Sequence, residues 1–257
     1  MRDRVALVSG VGPGLGRDIA LALAREGADV VLGARTAERL KAVAAEVEAM
    51  DRRAVFAPTD ITVEDDCHAL ADLARDEFGR LDVLVNNAFV QPPFETLEEA
   101  SIETWQQSFD VNLLGQVRMT KAVLPLMKQQ RRGSIVFVSS MSARRMRRNF
   151  GIYSAAKSAL LTTARMFAVE LGGHGIRVNS ILPGYIWGPS VERYFQHLAR
   201  RRGITPEAVY EDVASETCLG RLPTSAEVAD SVLYLASDLS RAVTGHALDV
   251  NAGHWLA

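Results

Sequence analysis

Two kinds of segment alternate along the chain. Short apolar runs rich in β-branched residues occupy 4–9 (RVALVS), 29–33 (DVVLG), 54–57 (AVFA), 81–85 (LDVLV), 134–139 (SIVFVS) and 177–182 (RVNSIL). Continuous apolar runs of this length suit strands buried on both faces, as in a parallel sheet. Between them, 16–26, 37–50, 63–78 and 152–171 repeat apolar residues at three- and four-residue steps, the period of amphipathic helices. Thr36 and Thr62, each ahead of an acidic first turn, are the expected N-caps. Strands alternating with crossover helices predict an α/β fold, a doubly wound three-layer sandwich around a central parallel sheet. No repeat, low-complexity tract or linker interrupts 1–257, so one domain is expected. The segment 185–222 breaks the rhythm: it has no strand pattern and carries Trp187, Tyr194, Phe195 and Tyr210 among charges. It reads either as a helical insertion packed on the body or as a substrate lid, since long insertions beside a sheet's carboxyl edge carry binding surfaces.

Composition narrows the classes. With 48% hydrophobic and 23% charged residues over 257 positions, the chain can bury a sizeable core. A net charge of −2 carries no electrostatic footprint for nucleic acid. No apolar stretch approaches the ~20 residues of a membrane span. The run after Met1–Arg4 is too short for a signal peptide, and a cytoplasmic protein without membrane or nucleic-acid partners is expected. Cys67 and Cys218 are far apart and lack metal-ligand spacing, so they read as packed thiols, and no metal is expected. Only four of the 29 basic residues are lysines: Lys41, Lys121, Lys128 and Lys157. Against that arginine background, a lysine with a chemical reason to be one stands out.

Ser9-Gly10-Val11-Gly12-Pro13-Gly14-Leu15-Gly16 follows the first strand and opens the first helix. Glycines let a backbone approach phosphates, and a helix N-terminus offers unpaired N–H groups and a partial positive charge. The spacing Gly10-x3-Gly14-x-Gly16 resembles the Thr-Gly-x-x-x-Gly-x-Gly turn of the short-chain dehydrogenase/reductase family, with Ser9 in place of Thr. Asn86-Asn87-Ala88 and Pro183-Gly184 also match that family, and the likeness runs from about residue 5 to 253. The resemblance implies a Rossmann-like fold and a nicotinamide dinucleotide. It would place Ser9, Gly10, Gly12, Gly14, Leu15 and Gly16 at the phosphates and Asp60 and Ile61 at the adenine. Asn87, Ala88, Pro183, Gly184 and Ile186 would lie along the rest of the cofactor. An acidic residue at the end of the second strand would bond the ribose 2′-hydroxyl of NAD. Here Ala34 stands at that position and Arg35 follows. A guanidinium grips a phosphate through paired charge-assisted bonds, which predicts NADP(H) over NAD(H); the alternative is that Arg35 stacks on adenine or faces solvent.

Tyr153-Ser154-Ala155-Ala156-Lys157 places a phenol and an ammonium four residues apart, on one face of a helix. A nearby ammonium favours the phenolate and brings it toward the range of a general acid or base. Ser140 ends the fifth strand, where its hydroxyl can polarise a carbonyl oxygen. Asn112, in Val111-Asn112-Leu113-Leu114-Gly115, matches the family's helix asparagine that supports a water linked to the lysine. The resemblance implies reversible hydride transfer between the cofactor and an alcohol or ketone. In that scheme Tyr153 exchanges the proton, Ser140 positions the oxygen, and Lys157 tunes Tyr153 and binds ribose hydroxyls. It also implies a homotetramer, or a homodimer, joined through the helices of Asn112 and Tyr153.

Three positions depart from the family pattern: Phe89 in place of Gly, Gly188 in place of Thr, and Asn251-Ala252-Gly253 in place of Asp-Gly-Gly. Phe89, Ser140, Tyr185, Trp187 and Phe195 are the candidate substrate residues, with Trp255 beside them. Their aromatic character points to an apolar or cyclic secondary alcohol or ketone, such as a terpenoid or steroid. Arg144-Arg145-Met146-Arg147-Arg148 reads either as a solvated or subunit-facing loop or as an anion site. Competing readings are an NAD-dependent hydroxysteroid-type or other alcohol dehydrogenase and, from another class, a non-catalytic dinucleotide-binding scaffold. An enoyl reductase fits less well, because those relatives separate Tyr and Lys by more residues.

Overall fold

The computed structural model describes residues 1–256. Strands β1 (Arg4–Ser9), β2 (Ala28–Ala34), β3 (Ala54–Pro58), β4 (Val83–Asn86), β5 (Gly133–Val138), β6 (Ile176–Pro183) and β7 (Ala247–Val250) form a single sheet. Its order is β3-β2-β1-β4-β5-β6-β7, and every neighbouring pair is parallel. The helices are α1 (Leu15–Arg25), α2 (Ala37–Glu48), α3 (Glu64–Phe78), α4 (Ile102–Phe109), α5 (Gln116–Gln130), α6 (Gly151–Leu171), α7 (Pro189–Arg202), α8 (Pro206–Ser215) and α9 (Ser225–Ala236). A π-helical turn, Asp110–Gly115, joins α4 to α5.

Strand side chains alternate between faces, and here both faces are apolar. Ala6, Val8, Val30, Leu32, Val83 and Val136 pack on one side with α1, α2 and α9. Leu7, Val31, Leu84, Ile135, Phe137 and Val178 pack on the other with α3, α5 and α6. That is why the strands read as unbroken apolar runs. All six expected strands form, with ends shifted by a residue or two. β7 escaped the sequence pattern because it is a short edge strand, ALDV, of which only Ala247 is fully buried.

One expected helix cap is corrected. Val63, not Thr62, precedes α3; Thr62 instead turns back, its N–H and hydroxyl both donating to Asp60 Oδ1 at 2.9 and 2.7 Å. Thr36 does precede α2 but makes no side-chain cap bond. Cys67 is buried as expected, whereas Cys218 is exposed, its thiol against the Gly253 carbonyl. Segment 185–222 is helical: α7 and α8 enclose a small core of Phe195, Ala199, Val209, Val213 and Leu222.

The chain reverses direction of winding between β1 and β4, and ligands of open α/β sheets bind at such a switch point beyond the strands' carboxyl ends. The register pairs Ser9 with Asn86 and Val138 with Ile181. The residues that follow, from the glycine turn to Pro183, therefore leave the sheet side by side along one edge.

Candidate active site

At the end of β1 the backbone turns through Gly10, whose φ of 98° lies where side chains are strained. A Cβ there would sit 2.3 Å from the Ala88 nitrogen, and one at Gly16 would sit 2.3 Å from the Gly10 carbonyl oxygen. Asn87 closes the same knot, its Nδ2 donating to that carbonyl at 2.6 Å. Gly12 and Gly14, by contrast, face open space. Gly14 precedes α1 without a side-chain cap, leaving first-turn N–H groups available. A tight knot on one side and an uncapped helix start on the other is the cradle a pyrophosphate fits. Ser9 is buried beneath it and Leu15 is partly buried on the core.

Two charged groups flank the cradle. Asp60 is held below the usual carboxylate range by hydrogen bonds from the Thr62 backbone and hydroxyl, so it is ionised at neutral pH. Ile61, beside it, is buried against Gly115. Arg35 follows β2, is exposed, and forms no ion pair among the described residues. Ala34 offers no carboxylate there.

Beyond β5, Ser140 begins a short helical turn and accepts a bond from the Ser142 N–H at 3.1 Å, and its hydroxyl lies near enough to Tyr153 to favour the phenolate slightly. Lys157 is 1% exposed, its Nζ donating to the Val138 carbonyl at 2.9 Å and lying 5.8 Å from the centre of the Tyr153 ring. Burial opposes charge on both groups: it pushes Tyr153 up to about 12, against a smaller lowering by Ser140, and Lys157 down to about 7. The expected phenolate is therefore not what the protein alone stabilises. Burial of the phenol outweighs the help it receives from Ser140.

Asn112 is fully buried in the π-turn and grips Val90: its Oδ1 accepts from the Val90 N–H at 3.1 Å and its Nδ2 donates to the Val90 carbonyl at 2.9 Å. One turn on, buried Gln116 donates to the Ala88 carbonyl at 2.9 Å. Sequence reading missed Gln116, although its position four residues after Asn112 puts it on the same helical face.

The aromatic residues divide. Phe195, at 1% exposure, is core of the α7–α8 unit and does not face a cleft, which corrects its place among substrate residues. Trp187 packs on Phe195 and Tyr210, with ring centres 6.0 and 4.6 Å away. Phe89 is 60% exposed. Tyr185 joins a wall that sequence reading did not foresee, because its members come from three distant segments. Phe94 after β4, Phe150 before α6 and Tyr194 on α7 meet with ring centres 5.0 to 6.5 Å apart, and Tyr185 stacks on Tyr194 at 6.0 Å. A Cβ at Gly184 would sit 3.0 Å from that of Asn251, and Ile186 is partly buried on the core.

The arginine run is largely a set of fastenings. Arg144 pairs with Asp249 of β7, and Arg145 with Glu216 at 2.9 Å and the His254 carbonyl at 3.2 Å. His254 completes that knot, its Nε2 3.0 Å from Glu216.

Comparison with known proteins settles the family. A family model described as enoyl-(acyl carrier protein) reductase matches residues 10–254. The cis-4-hydroxycyclohexanecarboxylate dehydrogenase of Sinomonas cyclohexanicum is 37% identical over 252 residues, covering 98% of this chain and 96% of that protein. The chain belongs to the short-chain dehydrogenase/reductase family. Among solved structures of the family, carveol dehydrogenase from Mycobacterium avium in complex with NAD superposes with a TM-score of 0.93 at 33% identity, covering 99% of this chain and 98% of that one. L-sorbose reductase from Gluconobacter frateurii, complexed with NADPH and L-sorbose, reaches 0.92 at 29% identity, covering 99% and 97%. The protein is thus an NAD(P)-dependent oxidoreductase of alcohols and ketones. No helix among the described residues is long and apolar enough to cross a membrane, and no cluster of metal-ligating side chains occurs among them.

Proposed function

We propose that the protein interconverts an apolar or cyclic secondary alcohol and its ketone with NADP(H). The observation that carries this reading is the meeting of Ser140, Tyr153 and the buried amine of Lys157, which lies 5.8 Å from the centre of the Tyr153 ring, at the sheet edge that also holds the glycine cradle. The bound nicotinamide supplies or accepts the hydride. Ser9, Gly10, Gly12, Gly14, Leu15 and Gly16 would hold its phosphates, Asp60 and Ile61 its adenine, and Asn87, Ala88, Pro183, Gly184 and Ile186 the remaining length. Tyr153 holds the proton at Oη, ready for a carbonyl oxygen that Ser140 Oγ also bonds. Lys157, poised near neutrality, passes a proton on without a large energetic step. Asn112 spends its side chain on Val90, so its support of a water beside Lys157 falls to its main-chain carbonyl.

NADP(H) is favoured by the free guanidinium of Arg35 and by the absence of an acid at Ala34. The wall of Phe94, Phe150, Tyr185 and Tyr194 favours an apolar ring, and relatives act on cyclic compounds by name: cis-4-hydroxycyclohexanecarboxylate and carveol. Residues 185–222, bearing Tyr185 and Tyr194, serve as the lid of this single domain. Exposed Leu114, Met166 and Val169 offer an apolar face for a homotetramer, and the exposed free thiol of Cys218 suits a reducing, cytoplasmic compartment.

Tyr153→Phe tests the reading. It removes the proton donor and little else, so dinucleotide binding should persist while kcat on a panel of cyclic ketones falls by about 10²–10⁴-fold. Wild-type turnover by the variant would refute the role of Tyr153. Tight dinucleotide binding by the native protein, with no turnover of any alcohol or ketone, would favour the scaffold reading instead.

A further inference from the structure

Two of the four arginines between Ser140 and α6 are neutralised. Arg144 faces Asp249 and Arg145 faces Glu216, whereas Arg148 is exposed to water. Of the three partly buried arginines, Arg147 alone has no carboxylate within ion-pairing distance among the described residues. Its guanidinium instead donates to the Tyr185 hydroxyl and lies over two rings, 5.7 Å from the centre of Phe150 and 5.4 Å from that of Tyr185. The side chain is half-buried and lines a cavity of about 440 Å³. Glu95 lines the same cavity and forms no ion pair with it.

The position of this cation is defined by the sheet. Val138 and Ile181 are register partners, so Ser140 and Pro183 emerge as neighbours, with Tyr185 just beyond. Phe150 immediately precedes α6, one turn ahead of Tyr153. A guanidinium bonded to Tyr185 and lying over Phe150 therefore stands against the aromatic wall, close in the fold to the strand ends that carry Ser140 and Pro183. Five N–H donors radiate from a guanidinium, and one hydroxyl does not satisfy them. A half-dehydrated cation without a counter-ion lacks the compensation that Arg144 and Arg145 have. Carboxylates match the guanidinium fork with two parallel charge-assisted bonds.

We propose that Arg147, held by Tyr185, binds a carboxylate at the end of the substrate remote from the reacting carbon, so that the preferred substrates are apolar cyclic hydroxy or keto acids. This rests on reading Ser140, Tyr153 and Lys157 as the hydride-transfer site, and extends it by assigning what the opposite end of the pocket recognises. Arg147 is then the residue that sets specificity, and Phe150 and Tyr185 keep its planar head in place.

The experiment compares 4-oxocyclohexanecarboxylate with its methyl ester, a neutral ring of nearly the same shape, and measures equilibrium binding of the unreactive cyclohexanecarboxylate. The native protein should favour the acid over the ester by about 10- to 100-fold in kcat/KM, the range expected of a bidentate charged contact. In Arg147→Met the acid should lose that factor through a raised KM, with the ester affected far less and cyclohexanecarboxylate no longer bound. Arg147→Lys should recover part of the preference, which mere loss of packing would not. Equal handling of acid and ester by the native protein, or a preference that survives in Arg147→Met, overturns the proposal. If neither ketone is reduced, the hydride-transfer reading fails; cyclohexanecarboxylate binding that depends on Arg147 would still uphold the anion site, and its absence would dispose of it.

Discussion

Lys157 and Arg35 are both cations of the proposed site, and they work for opposite reasons. Lys157 is sealed from water with only a carbonyl for a partner, an environment in which an arginine would be trapped as an unpaired charge. A lysine can lose its proton there, and burial lowers it to about 7 for that reason. Arg35 stays in water at the end of β2, where permanent charge and a planar fork suit a 2′-phosphate. Arg35→Ala should lower kcat/KM for NADPH by about 10- to 100-fold while changing that for NADH far less. Steady-state kinetics with both cofactors checks this, and a native preference for NADH that survives the substitution would contradict it. Tyr153 and Lys157 were legible in the sequence because helical spacing alone puts them on one face. Phe195 was misread because an aromatic residue on an amphipathic helix faces core or cleft according to what packs against it, and α8 supplied that packing.

At the scale of elements, the unit formed by α7 and α8 is tied down at its rim. Glu216, just after α8, receives both Arg145 from the loop before α6 and His254 from the segment after β7. The two partners together hold the Glu216 carboxyl below its usual range, Arg145 contributing most. These groups are partly exposed, so the knot adds about 1 kcal/mol or less to global stability. Its effect should be local. Glu216→Gln is expected to quicken amide exchange in α8 and in residues 251–256, and to raise KM more than it lowers kcat. Unchanged protection in both segments would show that the α7–α8 unit does not depend on this knot. None of the fastening was readable beforehand: the arginine run announced positive charge, but Asp249 and Glu216 are remote in sequence and only the crossover topology delivers them.

For the whole molecule, the two buried titratable groups of the site shape stability against pH in the absence of cofactor. Lys157 falls from its ordinary 10.5 to about 7, so protonating it opposes folding; stability is full above 10.5 and declines as pH falls toward 7. Tyr153 rises from 10.0 to about 12, so its contribution is full below 10 and is lost as pH climbs toward 12. The protein should therefore gain stability between pH 7 and about 10 through Lys157. Lys157→Met should flatten that gain, as read by thermal unfolding at pH 7 and pH 9.5; parallel trends for the two proteins would refute it. The sequence alone determined the parallel α/β sandwich, because strands buried on both faces must be apolar throughout and their crossover helices amphipathic. It also determined the glycine cradle and the Tyr153–Lys157 pair, since both depend on near-neighbour geometry. Tertiary structure alone decided the short edge strand β7, the shared wall of Phe94, Phe150, Tyr185 and Tyr194, the burial of Phe195, and which arginines of the 144–148 run find a counter-ion. Each of those depends on contacts between segments far apart in the chain, which local periodicity does not encode.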